Sequence, residues 1–145
     1  EPWRRAFLEE CIGPIMLPLA AQLLERHRQQ GHRLLIITAT SEVIARPVAD
    51  RLGIAELLGC GTGFVDGRYT GEPEGVPTFG EGKVTRLEGW LAANGETLDG
   101  ASFYSDSRTD LPLLERVDEP VAVDPDPELR RVARARGWPI ISLRG

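Results

Sequence analysis

The sequence has little that would take it out of water or fasten it with cross-links. Among its 145 residues there are two cysteines, Cys11 and Cys60, at no metal-ligand spacing. They read as buried or half-buried thiols of a reducing compartment, not as a disulfide framework. No apolar run approaches the roughly 20 residues of a membrane span, and no signal-peptide pattern opens the chain. Positive charge is also short: the net charge is -5, and no basic stripe offsets it. Non-specific nucleic-acid binding is therefore not expected. There are no repeats, low-complexity tracts or linkers. The length suits one domain, residues 1–145, with a single sizeable core, and the setting expected of it is cytoplasmic. The first residue is Glu1, and Trp3, Phe7, Leu8 and Cys11 already stand at helical spacing. That start reads as a helix in progress, so the chain is expected to be a piece of a longer protein.

What is there is an alternation of helical periodicity and short apolar runs. Pro14 and Pro18 break the first helical pattern, and a second helix follows over about 17–30, with Leu19, Leu23, Leu24 and His27 on one side and Gly31 at its end. His27 and His32 read as surface or boundary residues without a ligand-spaced partner. The run 33–37 has the continuous apolar character of a strand buried on both faces of a parallel sheet. It ends in Thr38-Ala39-Thr40-Ser41, whose hydroxyls can cap a helix carrying Val43, Ile44, Val48 and Leu52 inward, with Pro47 tolerated or kinking it. Leu57–Thr62 offers another short strand. Phe64–Thr70 reads as a hairpin turning on Asp66-Gly67. The glycines at 59, 61 and 63 do not complete a dinucleotide fingerprint, because Phe64 occupies the last glycine position and no helix follows. Gly80-Glu81-Gly82-Lys83 fails as a phosphate loop, because Pro77 stands where its first glycine is required and Val84 where Ser or Thr is. Lys83 opens a helix with Val84, Leu87 and Leu91 on one face. A lysine there opposes the helix dipole, which makes sense where an anion needs a point charge; a solvated lysine is the plainer reading.

The stretch 101–110, ASFYSDSRTD, organises the rest. An apolar strand stops at Ser105-Asp106-Ser107, and Asp110 stands at the mouth of the next helix, with Thr109 as a possible cap and Pro112 in the first turn. Ligands of open α/β sheets gather at this carboxyl edge. Two carboxylates four residues apart around such a turn can converge on Mg²⁺, which takes few protein carboxylates plus phosphate oxygens. The alternative is that Asp106 is a turn former and Asp110 a helix-start acid. Beyond it, 120–123 is another strand. Asp126-Pro127-Glu128 is a helix start, Leu129, Val132 and Ala133 face inward, Gly137 ends that helix, and 138–141 closes the sheet. The only D-x-D, Asp124-Pro125-Asp126, reads as capping chemistry.

The order hydroxyl (Thr38), lysine (Lys83), paired acids (Asp106, Asp110), with the stretches LLIITATSEVIARPVADRLGI, VDGRYTGEPEGVPTFGEGKVTRL, YSDSRTDLPLLERV and AVDPDPELRRVARARGWPI, resembles the haloacid dehalogenase superfamily, in its phosphoserine-phosphatase-like branch. The resemblance covers about residues 15–143. It implies an α/β fold: a three-layer α/β/α Rossmann-like core with a parallel sheet, residues 1–30 being helices that join a cap to the core. It also implies Mg²⁺-dependent phosphomonoester hydrolysis of a small phosphorylated metabolite through an aspartyl-phosphate. Thr38, with Ala39 and nearby backbone N–H groups, would bind the phosphoryl group. Lys83 would neutralise phosphate and nucleophile, Asp106 would bind Mg²⁺, and Asp110 would complete or support the metal site. Two features depart from the pattern. Thr109 stands where the family usually has Asn, and the D-x-D-x-T strand that carries nucleophile and acid/base is absent. The nucleophile, the first strand and most of the cap are thus expected in a segment of the same protein preceding Glu1. A non-catalytic binding or regulatory domain of the same fold is the alternative function, and a dehalogenase a third.

Overall fold

The computed structural model describes residues 17–144. The helix read over residues 3–12, with Cys11, lies outside them. The chain divides into two compact units, 1–78 and 79–145, where the sequence suggests one domain.

In the first unit, α1 (Pro18–Gln29) starts with proline at its first position, where a missing N–H is harmless. Leu19, Leu23, Leu24 and His27 form its half-buried side. β1 (Leu35–Ser41) leads into α2 (Glu42–Arg51), capped by the Ser41 hydroxyl, which accepts from the Val43 N–H. Pro47 is carried within that helix. Its inward residues are Ala45 and Ala49, whereas Ile44, expected inward, is exposed. Small residues bring the helix close to the strands, and the wider side chains lie to either side. The strand expected at 57–62 is β2 (Glu56–Val65), longer at ten residues. It pairs in parallel with β1 and then, antiparallel, with β3 (Arg68–Glu74). The hairpin turns on Asp66 (φ 50°) and Gly67 (φ 76°), the two positive φ values that a tight two-residue turn demands.

The second unit runs α3 (Glu81–Asn94), β4 (Ser102–Ser105), a 3₁₀ turn (Arg108–Asp110), α4 (Leu111–Leu114), β5 (Glu119–Val123), α5 (Pro127–Arg136) and β6 (Ile140–Ile141). β4, β5 and β6 form a parallel sheet in that order. Its core is Leu114, Ala122, Leu129 and Ala133, with Phe103, Leu111, Trp138 and Ile140 packed against them. α5 has the expected ends: Asp126 accepts from the Leu129 N–H at its start, and Gly137 takes φ 71° at its finish.

Among the described residues β1 and β4 each pair on one side only. The run 33–37, read as buried on both faces, is half buried over Leu35–Ile37, as is Ser102–Tyr104 of β4.

Gly59, Gly61 and Gly63 lie on alternate positions of β2, so they share one face. Each is a place where a Cβ has no room: it would lie 2.7 Å from the Glu42 Cγ, 2.7 Å from the Glu74 carbonyl and 2.4 Å from the Thr70 Oγ1, respectively. At the last, β3 bulges, and the Thr70 hydroxyl donates to the Gly63 carbonyl while accepting from the Glu72 N–H. Gly63→Ala should therefore cost about 1–3 kcal/mol through overpacking. Chemical denaturation should also show part of that loss recovered when Thr70→Ala is added.

Candidate active site

The first candidate element is the end of β1. Ile37 pairs with Leu58 but Ser41 pairs with Cys60, so four residues of β1 span two of β2. The segment 38–40 bulges out of the ladder, leaving Ala39 and Thr40 exposed. The Thr38 Oγ1 accepts from the Thr40 N–H at 3.1 Å. A hydroxyl has one donor and two acceptor positions, so this bond leaves its O–H available. The Thr38 carbonyl is held from behind by Thr78, which is fully buried and donates to it at 2.5 Å. The Thr78 hydroxyl also lies 3.2 Å from the Cys60 thiol.

The second element is a buried charge pair. Lys83 stands at the third position of α3, yet it is not a solvated lysine, being only 7% exposed. Its Nζ lies 2.7 Å from the Asp110 Oδ1. That oxygen accepts no hydrogen bond of regular geometry, so its charge is met by the Lys83 ammonium. The other carboxylate oxygen accepts from the buried Ser105 hydroxyl at 2.5 Å. Ser105 in turn accepts from the Ser107 N–H at 3.1 Å. Strand end, 3₁₀ turn and helix start are thereby tied to one carboxylate.

Asp106 is the next residue after β4 and is exposed. Its backbone is fixed, its carbonyl accepting the Asp126 N–H at 2.9 Å. Asp126 fastens the same loop a second time, its Oδ2 accepting from the Arg108 N–H at 2.7 Å, while Oδ1 caps α5 at 2.7 Å. Partial burial works to raise the Asp126 pKa. The N–H donors of Leu129 and Arg108 and the Arg108 charge outweigh it, holding the carboxyl below its ordinary 3.8. The stabilisation is full above that value and fades as pH falls through the lowered one.

The structure thus brings Lys83 and Asp110 together and sets Asp106 apart as an exposed carboxylate. Both Asp110 oxygens face protein groups, Lys83 on one side and Ser105 on the other. The expected Thr109 cap belongs instead to Ser107, whose hydroxyl accepts from the Thr109 N–H. Thr78, Ser105 and the loop-fastening role of Asp126 were not read from the sequence. Ser105 and Thr78 carry no local signal; Asp126 was legible as a cap only. Among the described residues no group of three His, Cys, Asp or Glu side chains is arranged to hold a metal. One open carboxylate still fits Mg²⁺, an ion that keeps several waters and draws on substrate phosphate.

Removing one partner of a buried ion pair strands the other charge, at about 3–5 kcal/mol. Lys83→Met should destabilise the protein by about that much in denaturant titration. The double variant Lys83→Met/Asp110→Leu should be closer to wild type than the single one is.

A model of the haloacid dehalogenase-like hydrolase family matches residues 1–115. A histidinol-phosphatase of Neisseria meningitidis is 45% identical over 98% of the chain and 66% of its own length. A solved structure of a Bordetella pertussis Tohama I protein of unknown function superposes with TM-score 0.95 at 40% identity, over 98% of this chain and 65% of that one. A phosphoserine phosphatase, solved as a phospho-aspartyl intermediate analogue, shares the fold at TM-score 0.66 and 17% identity, over 85% of this chain and 56% of that one. The chain spans about two thirds or less of the length of these relatives. With the family model spanning most of the chain and this α/β architecture common to its neighbours, the chain belongs to the haloacid dehalogenase-like hydrolase family.

Proposed function

We propose that the complete protein is a cytoplasmic, Mg²⁺-dependent phosphomonoester hydrolase working through an aspartyl-phosphate. The observation that carries this reading is the contrast between the two acids after β4: Asp106 is exposed and uncommitted, while Asp110 is buried against Lys83. Family membership and the histidinol-phosphatase relative support phosphate-ester chemistry. Histidinol phosphate and phosphoserine, named for the relative and for the fold neighbour, are both phosphates of a primary alcohol next to an amine-bearing carbon. That is the substrate class we propose.

In this reading, Asp106 holds Mg²⁺, which when bound supplies positive charge beside the phosphoryl oxygens. Thr38 donates its free O–H to the phosphoryl group, with the exposed backbone at Ala39 beside it. Phosphoryl transfer is mainly positioning and electrostatic stabilisation, so a hydroxyl on a fixed strand end suits it. Lys83 contributes its remaining N–H donors and its charge. Asp110 keeps the ammonium aimed, supporting the metal site through Lys83 and the Ser105 turn. The nucleophilic carboxylate comes from a segment of the same protein outside these 145 residues. It attacks phosphorus, the substrate alcohol departs, and water then cleaves the acyl phosphate to regenerate the carboxylate and release phosphate. Among the described residues β1 and β4 pair on one side only, which supports such a segment, because an open strand edge offers a ladder of unpaired N–H and C=O groups.

Two assays test the proposal. Asp106→Asn in the complete protein should abolish Mg²⁺-stimulated phosphate release from histidinol phosphate or phosphoserine with the fold retained by circular dichroism. Wild-type turnover in that variant refutes the metal role, and phosphate-ester binding by the wild type without any turnover would favour the non-catalytic alternative. Residues 1–145 expressed alone should release no phosphate and lack a cooperative thermal transition; an active monomer would show that the nucleophile lies within this chain.

A further inference from the structure

The end of α1 carries two imidazoles in contact, which the candidate site does not use. Gly31 takes φ 74° and its N–H donates to the Arg28 carbonyl at 2.9 Å, while the His32 N–H donates to the His27 carbonyl at 3.0 Å. This pair of bonds is the Schellman closure, which sets the side chain of the residue after the glycine against one in the last helical turn. An apolar contact usually fills that place. Here His27 and His32 fill it, with Nδ1 atoms 2.8 Å apart, ring centroids 5.1 Å apart and planes inclined by 42°. Read as spacing alone, His-x₄-His suggests no ligand pair; the left-handed glycine is what folds it into one.

We propose that His27 and His32 form a two-imidazole site for a divalent transition ion of tetragonal preference, Cu²⁺ or Ni²⁺, with water completing the shell. Two nitrogens 2.8 Å apart, each about 2.0–2.1 Å from a metal, subtend roughly 90° there. That is the cis angle of square-planar or octahedral coordination, which Cu²⁺ and Ni²⁺ favour, and not the tetrahedral angle of a structural zinc site. A metal takes an imidazole through a ring nitrogen that carries no proton, so both Nδ1 atoms would face the ion as lone-pair donors. The C-terminal end of a helix favours a cation. The flanking arginines are engaged elsewhere: Arg28 donates to the Leu52 carbonyl and lies 3.8 Å from Glu25, and Arg33 lies 2.6 Å from Glu56. His32 is exposed and His27 half buried, so the ion has a path in from solvent. Mg²⁺ prefers oxygen ligands and has no claim on this pair.

Isothermal titration of the tag-free, chelator-stripped complete protein with Ni²⁺ alone, and separately with Cu²⁺ alone, tests the site. One saturable ion per chain is expected, undisturbed by excess Mg²⁺, with Cu²⁺ bound more tightly than Ni²⁺. The Cu²⁺ form should show two coordinated imidazoles by electron paramagnetic resonance. His32→Gln, a change at an exposed position, should lose saturable binding, and Gly31→Ala should weaken it although both histidines remain. Phosphatase activity should be unchanged in His32→Gln. Absence of saturable uptake by the wild type, or equal uptake by His32→Gln, overturns the proposal.

Discussion

The second unit depends on one ion pair taken out of water. Lys83 opens a helix, where its charge opposes the dipole, and it is buried, where an ammonium alone costs several kcal/mol. Asp110 meets that charge at 2.7 Å, and Ser105 meets the carboxylate from the other side. Each of the three groups is tolerable only because the others are there. The arrangement fixes the start of α3, the end of β4 and the turn into α4 relative to one another. An anion reaching Lys83 finds a charge already desolvated and held, so little reorganisation is required to use it.

The same environment separates two acids that look alike in sequence. Asp106 and Asp110 stand four residues apart with a turn between them, and spacing suggests a shared cation. Burial divides the work: one carboxylate is spent on an internal counter-charge, the other remains open to solvent. A buried acid is held by its cationic partner, while an exposed acid on a fixed backbone can exchange water for an ion at little cost.

Much of the fold was legible because its signals are local. The Asp66-Gly67 hairpin, the Asp126-Pro127 helix start and the Gly137 stop depend on backbone angles that particular residues favour, and all three are present. The alternation of strand and helix likewise follows from periodicity. Tertiary approach was not legible. Gly59 and Gly61 fall in the strand expected at 57–62, but the reason for glycine at 59, 61 and 63 is tertiary: Glu42, Glu74 and Thr70 come where side chains would stand. Lys83 looked like a surface lysine because its partner lies a strand away. Ile44 belonged to the apolar pattern of α2, but alanines, not the larger residues, face its strands. At the site, the residue types and their order could be read; Thr78 and Ser105, which hold them, could not.

The double fastening by Asp126 has a consequence for motion. Its N–H holds the Asp106 carbonyl, and its two carboxylate oxygens hold the Arg108 and Leu129 amides. The loop bearing Asp106 therefore cannot open while the first turn of α5 stays closed. Loop and helix start are joined by these bonds into one opening unit, for which amide exchange at Arg108 and Leu129 is expected to share a common free energy. The exposed acid has a side chain free to meet an ion, on a backbone whose fluctuations are limited by a helix distant in sequence.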